Sequence, residues 1–391
     1  MAQNWRGAIV GWGHTAFGKH EELDVEELLG LAIEEALFEA DVPPDQIDQI
    51  FVGQFNEGFS EQGFPASLVF QQQPELRFKP ATRVENACAT GTAALYQGLM
   101  AIEAGKADVV LVAGVEKMTG LDRDGIASTL LKAAYVREEG HIPGGFAGVF
   151  GQIAEAYFAR FGDQTEALAK IAVKNHANGV DNPLAHFRKE LDYEFCLRTG
   201  NSNPLLAGPL KRTDCSPVSD GAAALVLMRR DLAKGKKRAV GFRSAVQVND
   251  FLPMSRRDVV RFEGASRAWK KALSEAELQL GDLSLVETHD CFTIAELMEY
   301  EAMGLAPEGQ GARAIEEGWV FRDGKLPVNL SGGLKAKGHP VGATGVSMHI
   351  MAARQLSGEA VCHQLPRPRF AGVFNMGGAA VANCVSVLEA L

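Results

Sequence analysis

Lys337-Gly338-His339-Pro340-Val341-Gly342-Ala343-Thr344-Gly345 is a glycine-rich loop running into a helix, and its last three residues repeat a triplet from the first half of the chain. That earlier copy, Ala89-Thr90-Gly91, also opens a helix, at the end of Val84-Glu85-Asn86-Ala87-Cys88. Each predicted helix leads to a strand ending in a turn of small residues, over 109–114 in one case and 371–378 in the other. A three-residue match alone carries little. Set in the same order of elements, it predicts two similar halves facing each other, with their helix starts brought together.

Outward from these two loops, helical periods alternate with short β-branched runs. Residues 8–10 read as a strand. Residues 24–40 read as an amphipathic helix with Val25, Leu28, Leu29, Ala32, Ala36 and Leu37 on one face. Asp24 and Glu27 form a capping-box pattern, and Pro43-Pro44 is expected to stop the helix. Strands follow at 49–53 and 109–113, with a helix over 91–104 between them. The alternation predicts helices packed on a largely parallel sheet. From about 120 to 217 the texture changes to scattered Gly, Pro, Asn and charge, with helical pieces at 152–161 and 166–177. This reads as an insertion covering a site. The β/α pattern resumes at Gly221 and runs to the end.

The chain has 391 residues, enough for two or more domains. A charge of -10 argues against nucleic acid as a general partner but leaves room for a small anion held by local cations and helix amino termini. No apolar run approaches the ~20 residues a bilayer requires, so no membrane association is expected. Met1-Ala2-Gln3-Asn4 leads towards Ala8-Ile9-Val10 without a basic leader, and Glu389-Ala390-Leu391 is not a peroxisomal tripeptide; the expected location is the cytoplasm. The six cysteines lie far apart without a CxxC pair, so neither a disulfide framework nor a metal site is expected.

Four segments carry candidate chemistry. Cys88 precedes a helix amid small neighbours, where a helix amino terminus favours the nucleophilic thiolate; the alternative is a buried structural cysteine. His339 lies among glycines, where an imidazole can take a thiol proton; the alternative is a turn histidine. His289-Asp290-Cys291-Phe292 follows the apolar pair Leu285-Val286 and precedes a helix over 294–302, where α/β sheets place sites; the alternative is a helix start capped by Asp290. Asn375-Met376-Gly377-Gly378 closes the strand 371–374, and its backbone N–H groups suit an oxyanion; the alternative is a tight turn. Gly11-Trp12-Gly13-His14-Thr15-Ala16 matches a relaxed dinucleotide fingerprint, but Phe17-Gly18-Lys19 breaks the helix that motif needs. His176 and His186 read as solvated surface histidines. Cys196, Cys215, Cys362 and Cys384 read as structural.

Together these segments resemble the thiolase superfamily. Asn86-Ala87-Cys88-Ala89-Thr90-Gly91 is similar to its nucleophile motif, and Lys337 through Gly345 to its GHPxGATG motif. His289-Asp290-Cys291-Phe292 resembles the HDCF variant of sterol-carrier-protein type thiolases and acetyl-CoA acetyltransferases, here without a sterol-carrier domain. The resemblance implies a duplicated, five-layered α/β/α/β/α fold. The two halves would be residues 1–119 with 217–238, and 239–391, with a loop domain over 120–216 that covers coenzyme A. It implies reversible Claisen condensation or thiolysis of 3-ketoacyl-CoA through a cysteine acyl-enzyme.

The same resemblance implies roles. Cys88 would be acylated and His339 would take its proton. Cys291 would be the acid/base at the α-carbon. His289 and His339 would bind the thioester oxygen, and the N–H groups of Cys88 and Gly377 would form a second oxyanion hole. Ser216 would touch coenzyme A. No permanently bound cofactor or metal is implied; the substrates are coenzyme A thioesters. Homodimers or homotetramers are usual, and some relatives need a small zinc-ribbon partner. Two departures stand out. Many thiolases carry Asn-Glu-Ala-Phe and a C-terminal Cys-x-Gly, whereas here His289 to Phe292 and Asn375-Met376-Gly377 occupy those places. The acid/base cysteine has thus moved from one loop to the other. The usual loop-domain His-Met pair is also replaced, near Val149-Phe150, which bears on acyl-chain preference. Other readings are a ketoacyl synthase type of condensing enzyme, a partner-dependent or non-catalytic acyl-CoA-binding subunit and, more distantly, a dinucleotide oxidoreductase.

Overall fold

The structure, a computed structural model, describes residues 5–391; the reading of residues 1–4 lies outside them. Among the described residues eleven strands run in chain order: β1 (Gly7–His14), β2 (Gln49–Gly53), β3 (Ala81–Val84), β4 (Val109–Glu116), β5 (Leu205–Ala207), β6 (Leu210–Lys211), β7 (Gly221–Arg229), β8 (Val240–Asn249), β9 (Leu285–Glu287), β10 (Phe370–Gly377) and β11 (Ala382–Ala390). All but the β5–β6 hairpin join one hydrogen-bonded order, β3-β2-β4-β7-β1-β8-β11-β10-β9. The ladder passes between the two halves at Ala8↔Gly241 and Ile9↔Val240, and the Trp5 N–H adds a bond to the Phe242 carbonyl.

The duplication is visible element by element. In the first half β1, helix Val25–Ala40, β2, β3, helix Thr90–Glu103 and β4 follow one another. In the second, β8, helix Glu263–Ala276, β9, a bridge from Val286 to Val328, helix Val341–Leu356 and β10 repeat that order. Val25–Ala40 packs on β1, β4 and β7, and Glu263–Ala276 on β8 and β11. Thr90–Glu103 and Val341–Leu356 pack on each other between the half-sheets. The result is five layers, helix, sheet, helix pair, sheet and helix. Val341–Leu356 is buried on nearly every side, as a central layer requires.

The repeated glycine of the triplet permits this contact. A Cβ on Gly91 would lie 2.8 Å from the Val346 backbone nitrogen, and one on Gly345 would lie 2.3 Å from that of Thr92. Any side chain at either position would push the central helices apart, together with the loops ahead of them.

Several local expectations need correction. The sheet is parallel only at β3–β2, β2–β4 and β9–β10 and antiparallel elsewhere. β11 follows β10 through a direct turn, and a hairpin can only be antiparallel. The first helix carries the expected capping box, Asp24 accepting from the Glu26 and Glu27 N–H groups and Glu27 from that of Asp24. It ends at Ala40 on the left-handed Asp41, φ 49°, before the prolines are reached. The helix expected from 152 begins at Phe146, because Gly148 and Gly151 interrupt the apolar period without interrupting the backbone.

Between β4 and β7 lie helices Arg123–Leu131, Phe146–Phe161 and Thr165–Gly179 with the β5–β6 hairpin. Thr165–Gly179 packs on Thr293–Ala302 and on the short helix Gly333–Lys337, so the insertion lies against the loops of the second half. Gly11 and Gly13 belong to β1, where Cβ atoms would meet Ala40 and Ala32; their role is strand–helix packing, not a dinucleotide loop.

Candidate active site

Cys88 ends a tight turn ahead of helix Thr90–Glu103. The Asn86 N–H donates to Thr90 Oγ1 at 2.8 Å, the Ala89 N–H to the Asn86 carbonyl, and the Thr90 N–H to that of Ala87. Ala87 takes φ 48°, a left-handed conformation that costs an alanine of order 1 kcal/mol and aims the next side chain inward. Cys88 is buried. Burial pushes its thiol up to about 12, against the opposing pull of the Gly378 N–H. The thiolate expected from the helix terminus is therefore overridden, and the resting group is a thiol. The loop N–H that reaches this sulfur belongs to Gly378, next to the Gly377 chosen from sequence. Gly377 ends β10 paired with Ala382, and its carbonyl accepts from the Val381 N–H.

His339 lies opposite. Its Nδ1 is 2.7 Å from Thr344 Oγ1, and that hydroxyl donates its proton to the Pro340 carbonyl at 2.8 Å. Thr344 must then accept from His339, so Nδ1 carries the proton and Nε2 has a free lone pair. Burial, and next Lys337, hold the His339 pKa down to about 3, so the ring is neutral. His289 is wholly buried, its ring edge-on to that of His339 with centroids 5.0 Å apart. One ligand atom each from Cys88, His289 and His339 all fall within 4.8 Å of one another.

Cys291 lines the same cavity as Cys88 and His339. Burial raises its pKa well above the usual thiol value, and the nearby Cys88 raises it further. Its carbonyl accepts from the Ser216 N–H at 3.0 Å, which brings Ser216 to the cavity wall. Asp290 caps a different helix from the one suggested by its position. Its carboxylate accepts from the Leu334 and Lys335 N–H groups, at 2.6 and 3.0 Å, and from Asn175 Nδ2 at 2.7 Å. Helix Thr293–Ala302 starts at Phe292 without a side-chain cap. Asp290 thus ties the loop bearing His289 and Cys291 to the short helix leading into Gly338-His339. Nothing local in sequence signals that tie, because its acceptors and donors are more than forty positions apart.

The cavity measures about 250 Å³ and is mostly apolar, with Met118, Ile126, Leu130, Phe146, Leu206 and Phe292 on its walls. Cys215, read as structural, lines it too. Phe150 stacks on Phe292 with centroids 4.5 Å apart, which brings the Val149-Phe150 departure directly behind the site. Neither His176 nor His186 is a freely solvated surface histidine. His176 is buried in helix Thr165–Gly179 against the Lys189 carbonyl and Lys335, and half-buried His186 meets Ser219 at 2.9 Å.

Glu116, at the end of β4, pins the His339 loop: Oε2 accepts from the Phe55 and Gly342 N–H groups at 2.9 and 3.0 Å. Burial raises its pKa from 4.5 to about 8. Between those values the folded chain holds a proton that the unfolded chain has lost, so stability falls as pH rises through the window. Glu116→Gln removes that proton difference. Thermal midpoints at about pH 5 and about pH 8 should therefore diverge less for the variant than for the parent. Equal pH dependence in the two would contradict a buried neutral Glu116.

Known families and structures complete the description. The thiolase N-terminal domain matches residues 7–201, and the thiolase C-terminal domain-like family matches residues 246–390. The chain is 35% identical to an acetyl-CoA acetyltransferase of Methanothermobacter thermautotrophicus over 375 residues, covering 95% of this chain and 96% of that one. It is 33% identical to sterol carrier protein 2 of Bos taurus, covering 94% of this chain and 69% of the relative. The Ltp2-ChsH2(DUF35) aldolase superposes with a TM-score of 0.82 over 98% of each chain, at 21% identity. A monomeric SCP2-thiolase like protein type 1 from Mycobacterium smegmatis superposes with a TM-score of 0.73, at 21% identity, over 98% of this chain and 77% of that one. These two likenesses bear on the fold. Among the described residues no helix is long and apolar enough to cross a membrane.

Proposed function

The chain belongs to the thiolase family, and from that premise we propose that it is an acyl-CoA:acetyl-CoA C-acyltransferase, making or cleaving 3-ketoacyl-CoA through an acyl-cysteine. The observation that carries this reading is the convergence of Cys88, His289 and His339, with Cys88, His339 and Cys291 on the wall of one cavity. In thiolysis His339 Nε2 takes the Cys88 proton as the sulfur attacks the ketone carbon. The bond between the α-carbon and the ketone carbon breaks, its electron pair passes to the departing acetyl-CoA enolate, and the Cys291 thiol protonates the α-carbon of that enolate. The thiol of a second coenzyme A then gives its proton to the Cys291 thiolate and attacks the acyl-cysteine; the bond to the Cys88 sulfur breaks, that sulfur recovers its proton from His339, and the shortened thioester is released. Condensation runs the same steps backwards.

A neutral thiol beside a neutral imidazole suits this scheme, because charge then develops only once a thioester is seated between N–H donors. The backbone N–H groups of Cys88 and of Gly377 or its neighbour Gly378 would receive the oxyanion of acyl transfer. His289 and His339 would receive that of the enolate, and Ser216 would touch coenzyme A. The apolar walls fit an acyl chain and the pantetheine arm. No resident metal or redox group is required by these steps. We place the protein in the cytoplasm as a homodimer or homotetramer.

Intact-mass spectrometry after incubation with a panel of acyl-CoAs tests this reading. The expected result is one acyl adduct, on Cys88, from the purified chain alone. Adduct formation only after a zinc-ribbon protein is added would favour the partner-dependent alternative. No adduct under either condition would favour a non-catalytic binding subunit.

A further inference from the structure

Asn375 stands where many thiolases place a catalytic cysteine, and its amide is committed on every side. Nδ2 is 3.0 Å from the Cys88 carbonyl, which can only accept, so the nitrogen must face it. The remaining amide proton points at His289 Nδ1, 2.9 Å away. Oδ1 accepts from Thr92 Oγ1 at 2.7 Å, and Thr92 belongs to the other half of the fold. Asn375 therefore has only a donor to offer His289. The ring must meet it with a bare Nδ1, and its proton must sit on Nε2. That Nε2 is buried and has no partner within the protein.

We propose that Asn375 is a positioning residue that locks His289 in its Nε2–H tautomer, so that a buried Cys–His–His cluster acts as a proton-donating pocket and not as a metal site. The two histidines are set in opposite senses. Thr344 leaves His339 Nε2 bare as a base, and Asn375 leaves His289 Nε2 protonated as a donor. Without that second setting, a thiolate and two imidazole nitrogens within 4.8 Å of one another would have the composition of a zinc site. Burial keeps His289 neutral, so its tautomer is the property the site has to control. The tautomer stands on geometry alone; its use as a donor to the enolate oxygen rests on the acyl-transfer reading.

The experiment combines imidazole 15N NMR of the whole protein with Zn2+ titration of the parent, Asn375→Asp and Asn375→Ala. The parent should show a protonated Nε2 at His289. Asp accepts from Nδ1–H and frees Nε2, as carboxylates do behind zinc-bound histidines, so Asn375→Asp should bind Zn2+ about 10–100-fold more tightly than the parent. Bound Zn2+ should also protect Cys88 from alkylation. Asn375→Ala, which removes the donor without adding a carboxylate, should fall between the two. If the parent carries the His289 proton on Nδ1, or if neither variant gains zinc affinity, the proposal is overturned. Neither readout depends on turnover. If the tautomer and zinc shifts appear but no acyl-cysteine ever forms, the functional reading fails and the positioning role survives.

Discussion

Cys88→Ala is expected to lower 3-ketoacyl-CoA thiolysis by about 10^4-fold or more and to abolish the acyl adduct in intact-mass spectra. The sulfur is the strongest nucleophile among the three groups that converge at this site, and neither imidazole can take its place as an isolable acyl carrier. The turn that presents residue 88 is held by contacts of Asn86, Ala87 and Thr90, none of which involves the thiol. The variant should therefore fold, and a thermal midpoint near that of the parent would show that the lost activity is chemical. Residual thiolysis within tenfold of the parent would sink the acyl-enzyme reading.

Cys291→Ala should separate the two halves of the reaction. Loss of a general acid or base typically costs 10^2–10^4-fold, and thiolysis is expected to fall within that range. Acylation of Cys88 by a simple acyl-CoA needs no proton at carbon, so the adduct should still form at a rate near that of the parent. The high thiol pKa of Cys291 suits a group that must hold its proton until an enolate appears beside it. Full thiolysis rates in this variant would remove Cys291 from the mechanism. Loss of acylation together with thiolysis would instead assign it a part in binding.

The expected difference between these variants follows from how the site is built. Cys88 comes from the first half of the fold, and His289, Cys291 and His339 from the second. The duplicated helices, packed glycine to glycine, bring the loops ahead of them together. Asp290 and Glu116 then fasten the His339 loop from two sides, one to the neighbouring loop of His289 and Cys291 and one to β4.

Much of this was legible in residue order. The repeated Ala-Thr-Gly triplets, the alternation of periods and the three motif loops are local patterns. A helix start, a glycine that permits close approach and a cysteine between small neighbours each leave their mark within a few residues. What the order of residues could not determine is the state of those groups. The helix terminus at Cys88 argued for a thiolate, whereas burial makes it a thiol. Asp290 read as a cap for the helix after it and instead caps one more than forty residues on. His176 read as solvated and is packed inside, and His186, read the same way, is half-buried against Ser219. The tautomers of His289 and His339 follow from hydrogen bonds to Asn375 and Thr344, the first of them 86 positions away. Patterns between neighbours in the chain are enough to specify elements and motifs. Protonation and hydrogen-bond direction depend on desolvation and on which distant groups meet in space, and only the folded structure decides them.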